Sequence, residues 1–414
     1  MKRFVICFDG TWQQLRQPTP TNIAVIARSI AHTAHDDKGN AIPQIVVYSK
    51  GVGANTDALG KDGFVGGFLN YLNRMAGGIF GEGLEDELVE TYLRLAFNYE
   101  AEDEIYIFGF SRGAFMARSF AGLINAAGII SRVHADQAWE AFRLYRTPPP
   151  ADAPDDVRKA HMEAERDFRL TYGKGRRAAD GSRIKTDEVP TINYLGIFET
   201  VGQRGMPSVL GGLSRVLNKR YGFHSLNICP NVLSARHAVA IDEHRWGFPP
   251  TLWDGIADAN ARAQKRPGAD PKHAYYEQRW FVGTHGDVGG GEGSTLSAAP
   301  LRWIADGARK AGLRLYATHG ADESPLDKYL RECGPSFDGR ISRPKFWDSL
   351  SPMNYQTAPR RIWRDRTKPT PDDLQQLVDE TVLKRAVDRD IKPRYRPPAL
   401  KPFRNALKDI EKRQ

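Results

Sequence analysis

The sequence predicts an α/β fold, with a mostly parallel central sheet flanked by helices. Three observations carry that prediction. Short apolar, β-branched runs at residues 4–8, 45–48, 105–108, 191–198 and 279–283 alternate with longer segments of helical periodicity, the order expected of a parallel sheet. The run Ile105-Tyr106-Ile107-Phe108 leads through Gly109-Phe110-Ser111-Arg112-Gly113 into a helical segment, residues 114–124. Several runs also end on a polar residue: Asp9-Gly10-Thr11, Ser111, Glu199 and His285. In an open parallel sheet the C-terminal strand ends share one edge, and ligands bind there.

Residues 4–8 form the first strand. Pro18-Thr19-Pro20-Thr21-Asn22 then starts a helix with Ile23, Ile26 and Ile30 on one face. After the strand at 45–48, residues 51–83 are glycine-rich around Phe64, Phe68, Leu69, Tyr71 and Leu72. They read equally as a partly helical loop at an active-site mouth or as a plain surface loop. An amphipathic helix at 84–99 precedes the central strand. Residues 134–189 form an insertion with a helix at 138–145, a break at Pro148-Pro149-Pro150, a charged helix at 154–170 and a basic loop at 173–177. By analogy it is a helical, lid-like cap. Residues 232–240 read as helix, and residues 296–311 as the helix after the last strand. The organisation expected is one domain over 1–400, with 134–189 as its cap, and a basic C-terminal tail at 401–414.

The chain has 414 residues, 41% of them hydrophobic, enough for a large core. No apolar run approaches the ~20 residues of a membrane span. Asp9 ends the first apolar run too early for a signal peptide. The chain is therefore expected to be cytoplasmic as made, leaving only through a dedicated secretion apparatus. Cys7, Cys229 and Cys333 are scattered, with neither disulfide nor metal-ligand spacing. The net charge of +9 resides in residues 340–414, where 19 Lys/Arg face 10 Asp/Glu. Acids and prolines interrupt the basic residues. A solvated surface is the first reading and an anionic membrane surface the second; no nucleic-acid motif accompanies the charge.

Strand, Gly-x-Ser-x-Gly turn and helix together make the nucleophile elbow of an α/β-hydrolase-like fold. The flanking glycines admit a sharp turn, and the serine hydroxyl stands at a helix N-terminus. The order Ser111, Glu199, His285 is nucleophile, acid, base. Serine needs a base to react, and imidazole titrates near neutrality. His237 and His244 are rivals for the base, and Asp242, Asp254 and Asp287 for the acid. His285 stands out because it ends a strand and precedes Asp287-Val288-Gly289-Gly290-Gly291, a loop with no evident structural need for three glycines. The N–H of Arg112 and one from Gly10-Thr11 would form the oxyanion hole. Asp9 and Asp287 are supporting carboxylates that orient loops or bind a metal. No full ligand set appears, so neither metal nor cofactor is expected. Asp9-Gly10-Thr11 also suggests a phosphatase of the haloacid-dehalogenase type, but the nucleophilic aspartate would fall at Cys7.

Several motifs recur in one order: Phe8-Asp9-Gly10-Thr11-Trp12, Gly51-Val52-Gly53, Gly78-Ile79-Phe80-Gly81-Glu82-Gly83-Leu84, Gly109-Phe110-Ser111-Arg112-Gly113-Ala114, Gly196-Ile197-Phe198-Glu199-Thr200-Val201-Gly202, Ala235-Arg236-His237-Ala238 with Asp242-Glu243, Gly283-Thr284-His285-Gly286-Asp287-Val288-Gly289-Gly290-Gly291, and Arg394-Tyr395-Arg396-Pro397-Pro398-Ala399-Leu400. With them the chain resembles, from Lys2 to Leu400, an α/β-hydrolase-domain family that includes the phospholipase effectors of bacterial type VI secretion. The resemblance implies a serine ester hydrolase, a lipase or phospholipase, working through a Ser111-His285-Glu199 triad and an acyl-enzyme. It implies a lipid or acyl-ester substrate and a secretion-system or immunity partner. The family usually has Asp where this chain has Glu199. The alternatives are an esterase for a small soluble ester and a non-catalytic interaction protein on a hydrolase scaffold.

Overall fold

A computed structural model describes residues 1–10, 15, 17–50, 80–150, 152–178, 180, 182–201, 226–245, 248–319, 322–334, 337–342, 360, 362, 369–388, 390–391 and 394–413. Most of the glycine-rich loop expected at 51–83, and Thr11 and Trp12, lie outside the described residues.

Seven strands form the main sheet: β1 (Arg3–Phe8), β2 (Thr33–His35), β3 (Ala41–Ser49), β4 (Glu104–Phe110), β7 (Tyr194–Phe198), β8 (Ala235–Ala240) and β9 (Tyr276–Phe281). Between β4 and β7, two short strands, β5 (Arg176–Arg177) and β6 (Arg183–Ile184), make a separate hairpin. The order across the sheet is β2-β3-β1-β4-β7-β8-β9, parallel throughout except for the antiparallel edge pair β2–β3. Every residue of β1, β7 and β8 is buried, as strands covered on both faces must be. Alternate residues serve different layers. Phe4, Ile6 and Phe8 pack with α2 (Phe80–Asn98) and α3 (Arg112–Ala127) through Tyr92, Leu95 and Phe120. Val5 and Cys7 pack on the other face with α1 (Asn22–Ser29) and α8 (Ala298–Lys310), through Ile23, Ile26, Leu301 and Ile304.

The helix expected at 232–240 is a strand instead. β8 pairs in parallel with β7 and β9, and its register sets Arg236 beside Glu277 and His237 beside Gln278. Arg236 Nε donates to Glu277 Oε1 at 3.0 Å, and His237 Nδ1 lies 3.0 Å from Gln278 Oε1. Those cross-strand partners satisfy the polar groups of an alanine-rich segment that reads locally as helix. Tertiary pairing overrides the propensity.

The insertion is helical, with α4 (Ala138–Arg146) and α5 (Asp155–Tyr172). Tyr145 of α4 packs on Gly122 in the middle of α3, and the contacts of α5 and the chain after it lie at the far end of α3. Arg169 Nη1 donates to the Ala126 carbonyl at 2.5 Å, Ser131 N–H to Tyr172 at 2.8 Å and Lys174 N–H to Ile129 at 2.8 Å. At 1.5 Å per residue, that end lies roughly 20 Å along the helix from Ser111. At the opposite edge of the sheet, α10 (Pro371–Leu377), α11 (Glu380–Val387) and α12 (Arg404–Arg413) pack with Val239, Ile241, Trp280 and Val282. Leu407 and Ile410 are buried there, so one face of the basic closing helix belongs to the core. The Tyr395 hydroxyl donates to Asp242 Oδ2 at 2.8 Å, beyond the end of β8.

α3 sits hard against β1. A Cβ at Gly113 would lie 2.1 Å from the Phe8 carbonyl oxygen, and one at Gly109 would lie 2.4 Å from that of Gly113. Gly113→Ala is therefore expected to destabilise the protein by about 1–3 kcal/mol in urea unfolding; an unchanged midpoint would contradict this packing. Burial raises the Asp242 carboxyl to about 6, against hydrogen bonds from Gly283 N–H and Tyr395. A carboxyl raised on folding adds stability below its unfolded value, near pH 4, and that stability is lost as the pH climbs through about 6. Asp242→Asn should flatten this decline, worth on the order of 1–3 kcal/mol. Unfolding free energies measured across pH 4–7 check it, and parallel slopes for the two proteins would contradict it.

Candidate active site

Ser111 follows β4 directly, with φ 58° and ψ −118°. Glu199 follows β7 with φ 47°. These are the two non-glycine residues with positive φ among the described residues. Such backbone costs about 1–3 kcal/mol and collects at functional sites. Neighbouring strands hold both turns: Ser111 N–H donates to the Phe198 carbonyl at 3.0 Å, and Glu199 N–H to that of Ala238 at 2.8 Å.

His285 opens the short helix α7 (His285–Gly289) after β9. Thr284 is its N-cap in a reciprocal capping box with Asp287. His285 Nε2 lies 2.8 Å from Ser111 Oγ, and Nδ1 lies 3.0 Å from Glu199 Oε2. Three side chains distant in sequence thus meet at one rim of the sheet. An ionised carboxylate fixes the tautomer: Nδ1–H donates to Glu199, and the Ser111 hydroxyl donates to Nε2. Phe110 and Phe248 flank the imidazole, with ring centroids 4.9 and 5.0 Å away.

Glu199 is fully buried. Burial alone would raise its carboxyl, but the Arg360 guanidinium and hydrogen bonds from His285 and Arg360 hold it well below the ordinary glutamate value. Arg360 Nη1 reaches Oε1 at 2.7 Å and Nη2 reaches Oε2 at 2.9 Å, a two-pronged pair. Ala240 N–H donates to Oε1 at 2.5 Å. Sequence reasoning missed Arg360, which is one arginine in a generally basic stretch and has no motif around it.

Asp287 supports the loop that carries the imidazole. Its Oδ2 accepts from Thr284 N–H at 2.9 Å and Ser342 N–H at 3.0 Å, and its Oδ1 accepts from Ser342 Oγ at 2.6 Å. Glu243 Oε2 accepts His285 N–H at 3.1 Å. Burial opposes its ionisation, and the Arg245 charge and hydrogen bonds bring its carboxyl down to about 2. Among the described residues no cluster of His, Cys, Asp and Glu is arranged to hold a metal ion.

The rival histidine His237 is a buried core residue on β8. Burial, then the charge of Arg118, lowers it to about 3, so it is neutral. Its Nε2 accepts Thr200 N–H at 3.3 Å, which braces the backbone just after Glu199. Asp242 is tied to Gly283 N–H and Tyr395.

Two expectations need correction. The Gly10 N–H, expected in the oxyanion hole, donates to Asp9 Oδ1 at 2.7 Å. Asp9 also accepts from Thr21 Oγ1 at 2.8 Å and from the Tyr48 hydroxyl. Burial raises its carboxyl to about 6 against those bonds. Asp9 therefore organises the turn after β1 and takes up the donor itself. Thr11 lies outside the described residues, while Arg112 begins α3, where first-turn N–H groups lack intrahelical acceptors. The glycines of the His285 loop do meet structural needs. A Cβ at Gly289 would lie 1.9 Å from the Phe110 ring, and Gly290, at φ +80°, would place one 2.7 Å from Asn22 N.

No described helix is long and apolar enough to cross a membrane. Among curated proteins the chain is similar to the uncharacterized protein YEL023C of Saccharomyces cerevisiae, 27% identical over 251 residues, or 60% of this chain and 32% of that protein. It thus spans about a third of that relative. Among solved structures it is similar to an uncharacterized protein from Pseudomonas aeruginosa at 18% identity and a TM-score of 0.38, covering 81% of this chain and 49% of that one. It is also similar to the Tle1 effector bound to the VgrG spike from the Type 6 secretion system, at 17% identity and a TM-score of 0.33, covering 73% and 52%. Residues 2–307 match the family model described as the catalytic domain of the Tle1-like phospholipase effectors of type VI secretion. That match takes in well over half of the sequence, and the chain belongs to this Tle1-like family.

Proposed function

We propose that the protein is a serine ester hydrolase that cleaves acyl esters of lipids through Ser111, His285 and Glu199. The observation that carries this reading is the continuous chain of hydrogen bonds from Ser111 Oγ to His285 at 2.8 Å and from His285 to Glu199 at 3.0 Å. The phospholipase description of the family supports a lipid substrate. Under the same reading residues 1–400 are one hydrolase unit, and a type VI secretion apparatus and a lipid surface are its partners.

In the proposed reaction Ser111 Oγ attacks the ester carbonyl carbon while its proton passes to His285 Nε2. Glu199 keeps the ring oriented through Nδ1–H and balances the imidazolium. Negative charge develops on the carbonyl oxygen, where the Arg112 N–H at the start of α3 would receive it. Collapse of the intermediate expels the alcohol, which takes the proton from His285, and leaves an acyl ester on Ser111. Water then gives a proton to His285 Nε2 and attacks that ester. Ser111 regains its proton and the fatty acid departs. Phe110 and Phe248 pack on the imidazole and limit the water around it, which strengthens each of these interactions.

Fatty-acid release from phosphatidylglycerol vesicles, beside hydrolysis of p-nitrophenyl butyrate, tests the reading. Ser111→Ala, folded as judged by circular dichroism, should lose at least about 10³-fold in kcat on both substrates. Turnover of the soluble ester alone would redirect the reading to a small-ester esterase. Equal turnover by the wild type and Ser111→Ala would overturn it.

A further inference from the structure

The family match ends at residue 307, yet residues beyond it return to the site. Ser342 binds Asp287, Tyr395 binds Asp242, and Arg360 binds Glu199. The last contact reaches the group that touches the imidazole. Together the two Glu199 oxygens accept from four donor atoms: Ala240 N and Arg360 Nη1 on Oε1, His285 Nδ1 and Arg360 Nη2 on Oε2. The guanidinium is itself locked. Nη1 donates to the Ala240 carbonyl at 2.6 Å and Nη2 to that of Phe248 at 2.8 Å. Phe248 is one of the two rings packed on the imidazole. Arg360 is 6% exposed and Glu199 is 0% exposed, so bulk water does not screen the pair.

We propose that Arg360 is a positioning residue for catalysis: its guanidinium holds the Glu199 carboxylate in one orientation, in line with His285 Nδ1, and serves as its permanent counter-ion. The catalytic apparatus is thus completed by a residue outside the matched catalytic domain. This inference rests on the Ser111-His285-Glu199 reading. The fit is specific to arginine, because a planar fork meets two carboxylate oxygens at once and a lysine ammonium meets one. It also has an electrostatic consequence. With Arg360 present the carboxylate charge is already matched by a fixed cation. Without Arg360, Glu199 loses the nearby charge that opposes its burial, so its carboxyl rises and takes up a proton at higher pH. Other charged or titratable groups around the pair are His237 from β8, Glu243 with Arg245 just beyond it, Asp287 and Glu292 from the His285 loop, and Arg118 from α3. All of them remain when Arg360 is replaced.

The test compares the wild-type chain, Ser111→Ala, Arg360→Ala and Arg360→Lys on p-nitrophenyl butyrate between pH 5 and 9. Arg360→Ala should lose about 10²-fold in kcat with KM little changed. The acidic limb of its kcat/KM profile should move to higher pH, and sub-denaturing guanidinium should restore activity at least tenfold. Arg360→Lys should fall between, with a smaller move of the limb. Should Arg360→Ala fail to fold, Arg360→Lys carries the same comparison. A folded Arg360 variant with wild-type kcat and an unmoved limb overturns the inference while Ser111→Ala remains inactive. An active Ser111→Ala instead overturns the underlying reading.

Discussion

The contact between His285 Nδ1 and Glu199 Oε2, 3.0 Å long and closed off from water, sets the demands that the surrounding structure meets. A buried carboxylate is costly unless donors surround it, and a histidine facing it must arrive in one orientation. Both needs are met at the C-terminal edge of the sheet. β7 ends in the strained turn of Glu199, β8 supplies the Ala240 N–H, and β9 leads into the capped helix that starts at His285. β4 ends in the second strained turn, which lifts Ser111 to the other ring nitrogen.

Carboxylates of opposite character surround this contact. Glu199 and Glu243 are each held ionised by an arginine, Arg360 and Arg245. Asp9 and Asp242 are held instead by hydroxyls and backbone N–H groups, and burial raises both to about 6. The first two keep charge where the imidazole needs it, one through the ring nitrogen and one through the His285 backbone N–H. The second two accept hydrogen bonds that hold loops, at the turn after β1 and at the docking of the C-terminal segment. Removing an arginine from the first group leaves a buried charge without its partner, whereas neutralising a carboxylate of the second group removes a group already close to protonation.

Much of this was legible in the sequence, because the strand-end residues lie next to runs whose burial is written in their composition. Ser111, Glu199 and His285 each follow such a run, and the parallel sheet order brings them to one edge. What could not be read depends on partners far along the chain. β8 looked helical because Ala235-Arg236-His237-Ala238 gives no local sign that Glu277 and Gln278 wait on the adjacent strand. The Gly10 N–H was free to be assigned to an oxyanion until the fold turned Asp9 back upon it. The triple glycine looked idle because the Phe110 ring and Asn22 fill the space beside it only in three dimensions. Arg360 had no signature at all, since its role comes from a contact across 161 positions.

The central claim is that the Ser111 hydroxyl is activated by the imidazole beside it. A fluorophosphonate probe reacts with such a hydroxyl and spares ordinary serines. Treating the intact protein with this probe and mapping the adduct by peptide mass spectrometry is the most direct measurement. The account predicts stoichiometric modification at Ser111 that disappears in His285→Ala. An unmodified Ser111 at saturating probe, or equal modification without His285, would contradict it.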